Sequence, residues 1–309
     1  MWATLSSWWA GQVSRTGRPR NVPLVIGTTL VGLLVLCAVA APLLAPHPPN
    51  QLVYRLKDGL IMASPYPPGT PGLWLGTDMI YHDMVSRLLY ASRYTLLFCG
   101  VAAMVRICIG AALGLLGGWY PRVGRIVDVL LSVWSAVPSL VIALFLIIPL
   151  NRLANLTIST IAYVLVLSIT GWTQVAIGSK GAVRQLRHAQ FIEAAYTLGL
   201  KPATVLRRHI LPNVRDLLLV EAAYTMGAAL LLVAELAFLG FFVGGTTGAV
   251  VRGRLEAEPV YAEWGSMLAI GLRERGKLWL LLEPLIVFTL AILAFNLLAE
   301  GLRRRRARY

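Results

Sequence analysis

The sequence predicts an all-α protein that crosses a lipid bilayer six times, and three observations carry that prediction. Only 14% of the 309 residues are charged, where a soluble domain of this length needs roughly 25% to cover its surface. Six apolar runs each approach the ~20 residues with which a helix crosses ~30 Å of hydrocarbon. Lysine and arginine concentrate in alternate connections between those runs, the asymmetry that orients a membrane protein. The spans are helices because a lipid-exposed segment has to satisfy its own backbone polar groups.

A polar segment, residues 1–22, precedes the first span at 23–45, whose apolar stretch runs from Pro23 to Leu44. That stretch is longer than the 7–15-residue core of a signal peptide, so it reads as a retained anchor despite the alanines at its end. Residues 46–93 form a long loop that opens with Pro46, Pro48 and Pro49 and continues with Pro65, Pro67, Pro68 and Pro71, a composition that excludes regular helix. Asp78 is expected to cap a short interfacial helix, with Ile80, Met84, Leu88 and Leu89 on one face and Asp83 and Arg87 on the other.

The remaining five spans lie within residues 94–298: Tyr94 to Gly117, Ile126 to Leu150, Leu153 to Ile177, Leu217 to Phe242 and Leu278 to Leu298. Loop 178–216 separates the fourth and fifth, loop 244–277 the fifth and sixth, and residues 299–309 form a basic tail. With the N-terminus inside, the inner segments hold 17 of the 28 basic residues, the outer segments 10, and Arg106 alone lies within a span. Both termini are therefore expected in the cytoplasm. The tail arginines, Arg303 to Arg306, fit anionic lipid at roughly 1 kcal/mol each.

The charge excludes some functions and leaves others open. A net charge of +14 raises nucleic acid as a ligand, but nucleic-acid binders gather base on one face among aromatics. Here membrane topology accounts for the charge, and no nucleic-acid partner is expected. Cys37, Cys99 and Cys108 all fall in apolar runs with no metal or disulfide spacing, and read as small packing residues. His47, His82, His188 and His209 form no paired-ligand spacing, so no metal site is expected and His82-Asp83 reads as a surface pair. The segment Gly271 to Leu278 nearly matches a phosphate-binding loop, but Leu278 replaces the hydroxyl that holds Mg²⁺ and no strand precedes it. Arg106 costs about 2.5–3.5 kcal/mol at mid-bilayer, so it faces the bundle, with Glu221 or Glu235 as candidate partners.

Loop 178–216 carries the most information. In Gln190 to Pro202, Phe191, Ala194, Ala195 and Leu198 recur at helical spacing. Gly199 ends that helix and Pro202 blocks its continuation. A second short helix is expected from Ala203 to about Leu211-Pro212-Asn213. The pair makes a knob between two spans.

Glu193-Ala194-Ala195, Gly199 and Leu211-Pro212 resemble the EAA motif of ABC importer permeases, and His209-Ile210-Leu211-Pro212-Asn213 is similar to its peptide and nickel branch. Leu75-Gly76-Thr77-Asp78, Trp264-Gly265-Ser266-Met267-Leu268 and Phe295-Asn296-Leu297-Leu298 resemble further segments of that branch. Met79 to His82, Ala299-Glu300 and the arginine tail depart from it.

The resemblance implies a type I ABC importer permease fold in a bacterial or archaeal inner membrane. It implies four partners besides lipid: a homologous permease completing a heterodimer, two ATP-binding-cassette ATPase subunits, and an extracytoplasmic binding protein. Glu193, Ala194, Ala195, Gly199, His209, Leu211 and Pro212 would couple this chain to the ATPase. ATP and Mg²⁺ would be bound there, with no cofactor and no catalytic residue in this chain. A secondary transporter would show inverted repeats and polar interrupted helices, and the two halves show no clear repeat. An intramembrane enzyme would need a catalytic constellation that the spans lack. Dipeptide, oligopeptide, nickel chelate and other small polar solutes all remain open as cargo.

Overall fold

The computed structural model describes residues 21–57, 60–150, 156–244, 246–251, 254–259, 261–274 and 276–306. Arg15, Arg18, Arg20 and Arg308 lie outside the described residues. Five helices are long and apolar enough to cross a membrane, and one bent helix pair makes a sixth candidate.

α1 (Val22–Val39) is capped by Asn21, whose side chain accepts the Leu24 N–H at 3.4 Å. Pro23 sits in the first turn, where a missing N–H costs no bond. A short turn, α2 (Ala41–Leu44), follows. α1 lies against the last helix, α12 (Leu278–Arg306), through glycines. A Cβ on Gly27 would overlap the backbone of Leu297 and Leu298, and one on Gly301 would overlap Leu24. Such close backbone approach drives helix association where lipid is as apolar as the side chains. Asn21 Nδ2 also donates to Gly301 O at 2.7 Å, which fixes the start of α1 beside the end of α12. The arginines Arg303 to Arg306 continue that helix.

The proline-rich loop carries a two-stranded hairpin, β1 (Leu56–Lys57) with β2 (Leu60–Ile61). It buries Val53, Tyr66 and Leu73 in a small core of its own. The expected interfacial helix and second span prove to be one helix, α3 (Met84–Trp119), of 36 residues. At 1.5 Å per residue it is about 54 Å long, so it projects well past the hydrocarbon.

Asp78 does not cap α3. Asp83 does, accepting the Ser86 N–H at 3.1 Å, while Asp78 is buried, ion-paired with Arg87 and bonded to His82 Nδ1 at 2.9 Å. Burial pushes the Asp78 carboxyl up, but Arg87 and His82 outweigh it and hold the pKa at about 2. Asp83, Arg87 and His82 are therefore interior groups, not the surface residues that periodicity implied. Helical spacing cannot register a polar partner supplied by the preceding loop. Among the described residues, no cluster of three His, Cys, Asp or Glu side chains is placed to hold a metal.

The third span is broken. α4 (Pro121–Ser135) and α5 (Ser139–Leu150) meet at 79°. Pro138 is the cause: it cannot donate to the ladder and it disfavours helix at Val137. α6 (Leu156–Thr170) and α7 (Trp172–Arg187) are likewise separated at Gly171. α7 takes up the first ten residues of the expected 178–216 loop, so that connection is much shorter than hydropathy indicated.

Helices α3 and α7 pack along Gly110, Gly114 and Gly118, whose missing Cβ atoms leave room for Val175, Ser179 and Val183. Lys180, 4% exposed, ties α7 to α4 by donating to Gly124 O at 2.6 Å and Asp128 Oδ1 at 2.5 Å.

α10 (Leu211–Phe238) runs through the centre of the main apolar core. Beyond it, strands β3 (Thr246–Val251) and β4 (Arg254–Pro259) pair antiparallel, with Thr246 opposite Pro259 and Val251 opposite Arg254. α11 (Trp264–Arg273) then folds back into the core. Its N-cap is a buried carboxylate: Glu263 accepts Ser266 N–H at 2.7 Å and Gly265 N–H at 2.8 Å. Trp264 Nε1 donates to Leu88 O at 3.0 Å, locking α11 onto α3. Gly271 belongs to this helix and packs on Leu280, so the near-match to a phosphate loop begins inside a helix.

Candidate functional site

Two places combine exposure, polarity and rigid support. The first is the knob. α8 (Gln190–Thr197) buries only Ile192 and Ala195. They join Trp119 of α3, Val183 of α7, and Val205, Ile210 and Val214 in a separate apolar cluster. Tyr196 stacks on Trp119 with centroids 6.5 Å apart. The knob therefore rests on the ends of three long helices.

Its outer face differs from the amphipathic reading. Phe191, Ala194 and Leu198 point away from the protein, Leu198 at 81% exposure. They form an apolar rim around the exposed Glu193, which makes no ion pair among the described residues. The apolar periodicity was real, but it marks an outward face.

Gly199 closes α8 in a Schellman turn. Its φ is +77°, Leu200 N–H bonds Ala195 O at 3.2 Å, and Gly199 N–H bonds Tyr196 O at 2.9 Å. Only glycine adopts that backbone without strain. The expected second helix does not end at Leu211-Pro212. α9 (Pro202–Val205) passes through a π turn, Leu206–Ile210, straight into α10. Pro212 would clash with the Arg208 carbonyl in a regular helix, and the wider turn, with Leu211 N–H on Leu206 O, relieves the clash. His209 sits half-buried in this turn, and its carbonyl accepts from Asn213 Nδ2 at 2.6 Å. Through the turn α9 is continuous with α10, and α8 packs beside it through Ile192 and Ala195.

The second place is a cavity of about 290 Å³ at the break in the third span, walled by α3, α7 and α10. Arg106, 2% exposed, reaches it from α3. Its Nε donates to Leu167 O at 2.8 Å, with longer contacts of 3.4 Å to Thr225 O and Thr170 Oγ1. The expected carboxylate partners do not reach it. Among the described residues neither Glu221 nor Glu235 pairs with Arg106, and Glu235 does not line the cavity. The break at Gly171 withdraws the N–H that a continuous helix would send to Leu167 O, so a carbonyl takes the guanidinium instead. Gln174, Thr173, Ser135 and Ser139, which line the cavity, were not singled out in the sequence, although Pro138 signals the break beside it.

A bundle of membrane-length helices, with a cavity at a broken span and an apolar-rimmed knob beside the start of α10, has the build of a membrane transport subunit. Residues 107–308 match the family of binding-protein-dependent transport system inner membrane components, and residues 20–67 match the N-terminal transmembrane domain of oligopeptide transport permease C. The chain belongs to that transport family and is the permease subunit of an ABC importer, a multi-pass inner-membrane protein.

It is 30% identical over 295 residues to the dipeptide transport system permease protein DppC of Alkalihalophilus pseudofirmus, covering 92% of this chain and 85% of that one. It is 28% identical over 280 residues to the di/tripeptide transport system permease protein DppC of Pseudomonas aeruginosa, at 90% and 85% coverage. It is 26% identical over 288 residues to the oligopeptide transport system permease protein OppC of Bacillus subtilis, at 92% and 84% coverage.

Proposed function

We propose that this chain forms half of a translocation path for short peptides. The observation that carries the coupling half of the reading is the knob. A large exposed leucine beside a lone carboxylate, fixed by a Schellman turn and continuous with a core span, is a surface built to be gripped. The partner that grips it is an ATP-binding-cassette ATPase, which supplies the ATP and Mg²⁺ site. Glu193 meets a basic group there, while Ala194 and Leu198 enter an apolar groove. Ala195, Gly199, His209, Leu211 and Pro212 hold the lever and its joint to α10.

A homologous permease closes the path in a heterodimer, and a second ATPase serves that subunit. Both termini and the knob face the cytoplasm. The opposite loops, with both hairpins, receive a loaded binding protein. Nucleotide on one side and loaded binding protein on the other bias the bundle between two states, as alternating access requires. Peptide cargo is carried over from the relatives' names, which specify dipeptide, di/tripeptide and oligopeptide transport.

The test is uptake of a labelled dipeptide into vesicles holding the assembled complex with its binding protein. ATP-driven, vanadate-sensitive uptake that Glu193→Lys abolishes is the expected result. Uptake driven by an ion gradient without ATP would replace this reading with a secondary transporter.

A further inference from the structure

The cavity at the broken third span holds polar groups that the chain itself does not satisfy. Arg106 spends three N–H contacts on Leu167 O, Thr225 O and Thr170 Oγ1, leaving two of a guanidinium's five donors. No carboxylate neutralises it among the described residues. Glu221 lines the same cavity from α10, half-buried, with no side-chain partner among the described residues. The indole Nε1 of Trp134, also in the wall, is buried and lacks a hydrogen-bond partner. Leaving such groups empty-handed inside a protein is costly, and their spacing shows what fits.

Helix α7 provides the ruler. The Arg106 guanidinium lies over Gly171, where a Cβ would come within 2.5 Å of Arg106 Cζ, and Glu221 Oε1 lies over Gly178, 2.9 Å from such a Cβ. Seven residues are two helical turns, so the two charges sit on one face of α7, about 10.5 Å apart along its axis. An extended peptide advances about 3.3–3.6 Å per residue, so a di- or tripeptide places its ammonium and carboxylate on the same scale. The opening faces Ser135 and Ser139, exposed at the break.

We propose that this cavity is a binding subsite for the zwitterionic main chain of a short peptide, with Arg106 taking the carboxylate and Glu221 the ammonium. Trp134 Nε1–H donates to a peptide carbonyl between them. The site reads the termini and ignores the side chains, which point through the opening toward the second subunit. This inference rests on the peptide-importer reading and adds where, in the membrane, the cargo pauses.

The experiment uses the assembled transporter in nanodiscs, with Cys37, Cys99 and Cys108 replaced by alanine and Ser139→Cys introduced at the cavity mouth. Labelling of that cysteine by a neutral maleimide is timed with Ala-Ala-Ala or with N-acetyl-Ala-Ala-Ala-amide. The free tripeptide is expected to slow labelling about fivefold, the effect of occupancy near four-fifths, and the capped peptide to leave the rate unchanged. Glu221→Gln removes no contact within the chain, so it keeps the fold. It should reduce protection by Ala-Ala-Ala to the level that a third probe, N-acetyl-Ala-Ala-Ala with its carboxylate free, gives the unsubstituted protein.

Equal protection by free and capped peptides, or full protection in Glu221→Gln, overturns the subsite. ATP-driven peptide uptake by the same preparation, measured alongside, keeps the two claims apart. Uptake without protection sinks the subsite alone, whereas absence of ATP-driven uptake by the unsubstituted complex sinks the importer reading beneath it.

Discussion

Leu198→Ala tests the knob most quantitatively. Full burial of a leucine side chain is worth about 1.5–3 kcal/mol relative to exposure. Leu198 is 81% exposed, so about four-fifths of that, roughly 1.2–2.4 kcal/mol, is still to be gained when a partner covers it. At about 1.4 kcal/mol per factor of ten, truncation should weaken ATPase binding roughly 7- to 55-fold. The assay titrates purified ATPase onto the permease pair in nanodiscs and reads the Kd. Two controls isolate the effect. Leu198 is not one of the buried or partly buried residues that build the knob's apolar cluster, so the unfolding temperature should hold. Phe145→Ala, at an equally exposed residue (82%) on α5, should leave the Kd unchanged. An affinity within twofold of wild type would refute the idea that the exposed rim is the gripped surface.

Gly199→Ala forces a side chain into the left-handed region at φ +77°, costing about 1–2 kcal/mol. It should uncouple ATP hydrolysis from uptake, while Gly199→Asn, which tolerates that backbone better, restores part of the coupling. At the α4–α7 contact, Asp128→Asn should lower thermal stability more than Lys180→Met. The first strands a buried ammonium, whereas the second leaves a carboxylate that is 51% exposed and can turn to water. The two long loops should respond to pH through two groups of opposite sign. Burial pushes Glu263 up to about 7 against the N–H bonds it accepts. The folded state therefore holds the extra proton between about pH 4.5 and 7, and the stability it contributes is present at low pH and lost as pH rises through about 7. Asp78, held at about 2, contributes stability that is present above its unfolded value near 4 and lost as pH falls toward 2. Melting curves in detergent should show the Glu263 arm vanish in Glu263→Gln and the acid arm shrink in Asp78→Asn.

Hydropathy made the five to six membrane helices legible because each is an apolar run, and the helical spacing from Gln190 with the stop at Gly199 marked the first half of the knob. Breaks and joints were less visible. Pro138 was present to be read, yet the apolar run from Ile126 to Leu150 passes over it without a dip. The continuity of the knob with α10 was hidden because Pro212 normally ends a helix, and a π turn cannot be inferred from composition. Arg106 was correctly kept off the lipid, but its partners were assigned by charge, and a backbone carbonyl freed by Gly171 took that place. Asp78 illustrates the same limit: its cap-like spacing was outcompeted by Arg87, nine residues on, through a fold in the loop.

If an ATPase drives this permease, it grips the knob at Glu193. The most direct measurement is a mild-detergent pull-down of the chain from its native membranes, with partners identified by mass spectrometry, in wild type and Glu193→Lys. The expected result is a homologous permease with both proteins and a P-loop ATPase with wild type only. An isolated chain or homo-oligomer that brings down no ATPase, even after cross-linking, would contradict it.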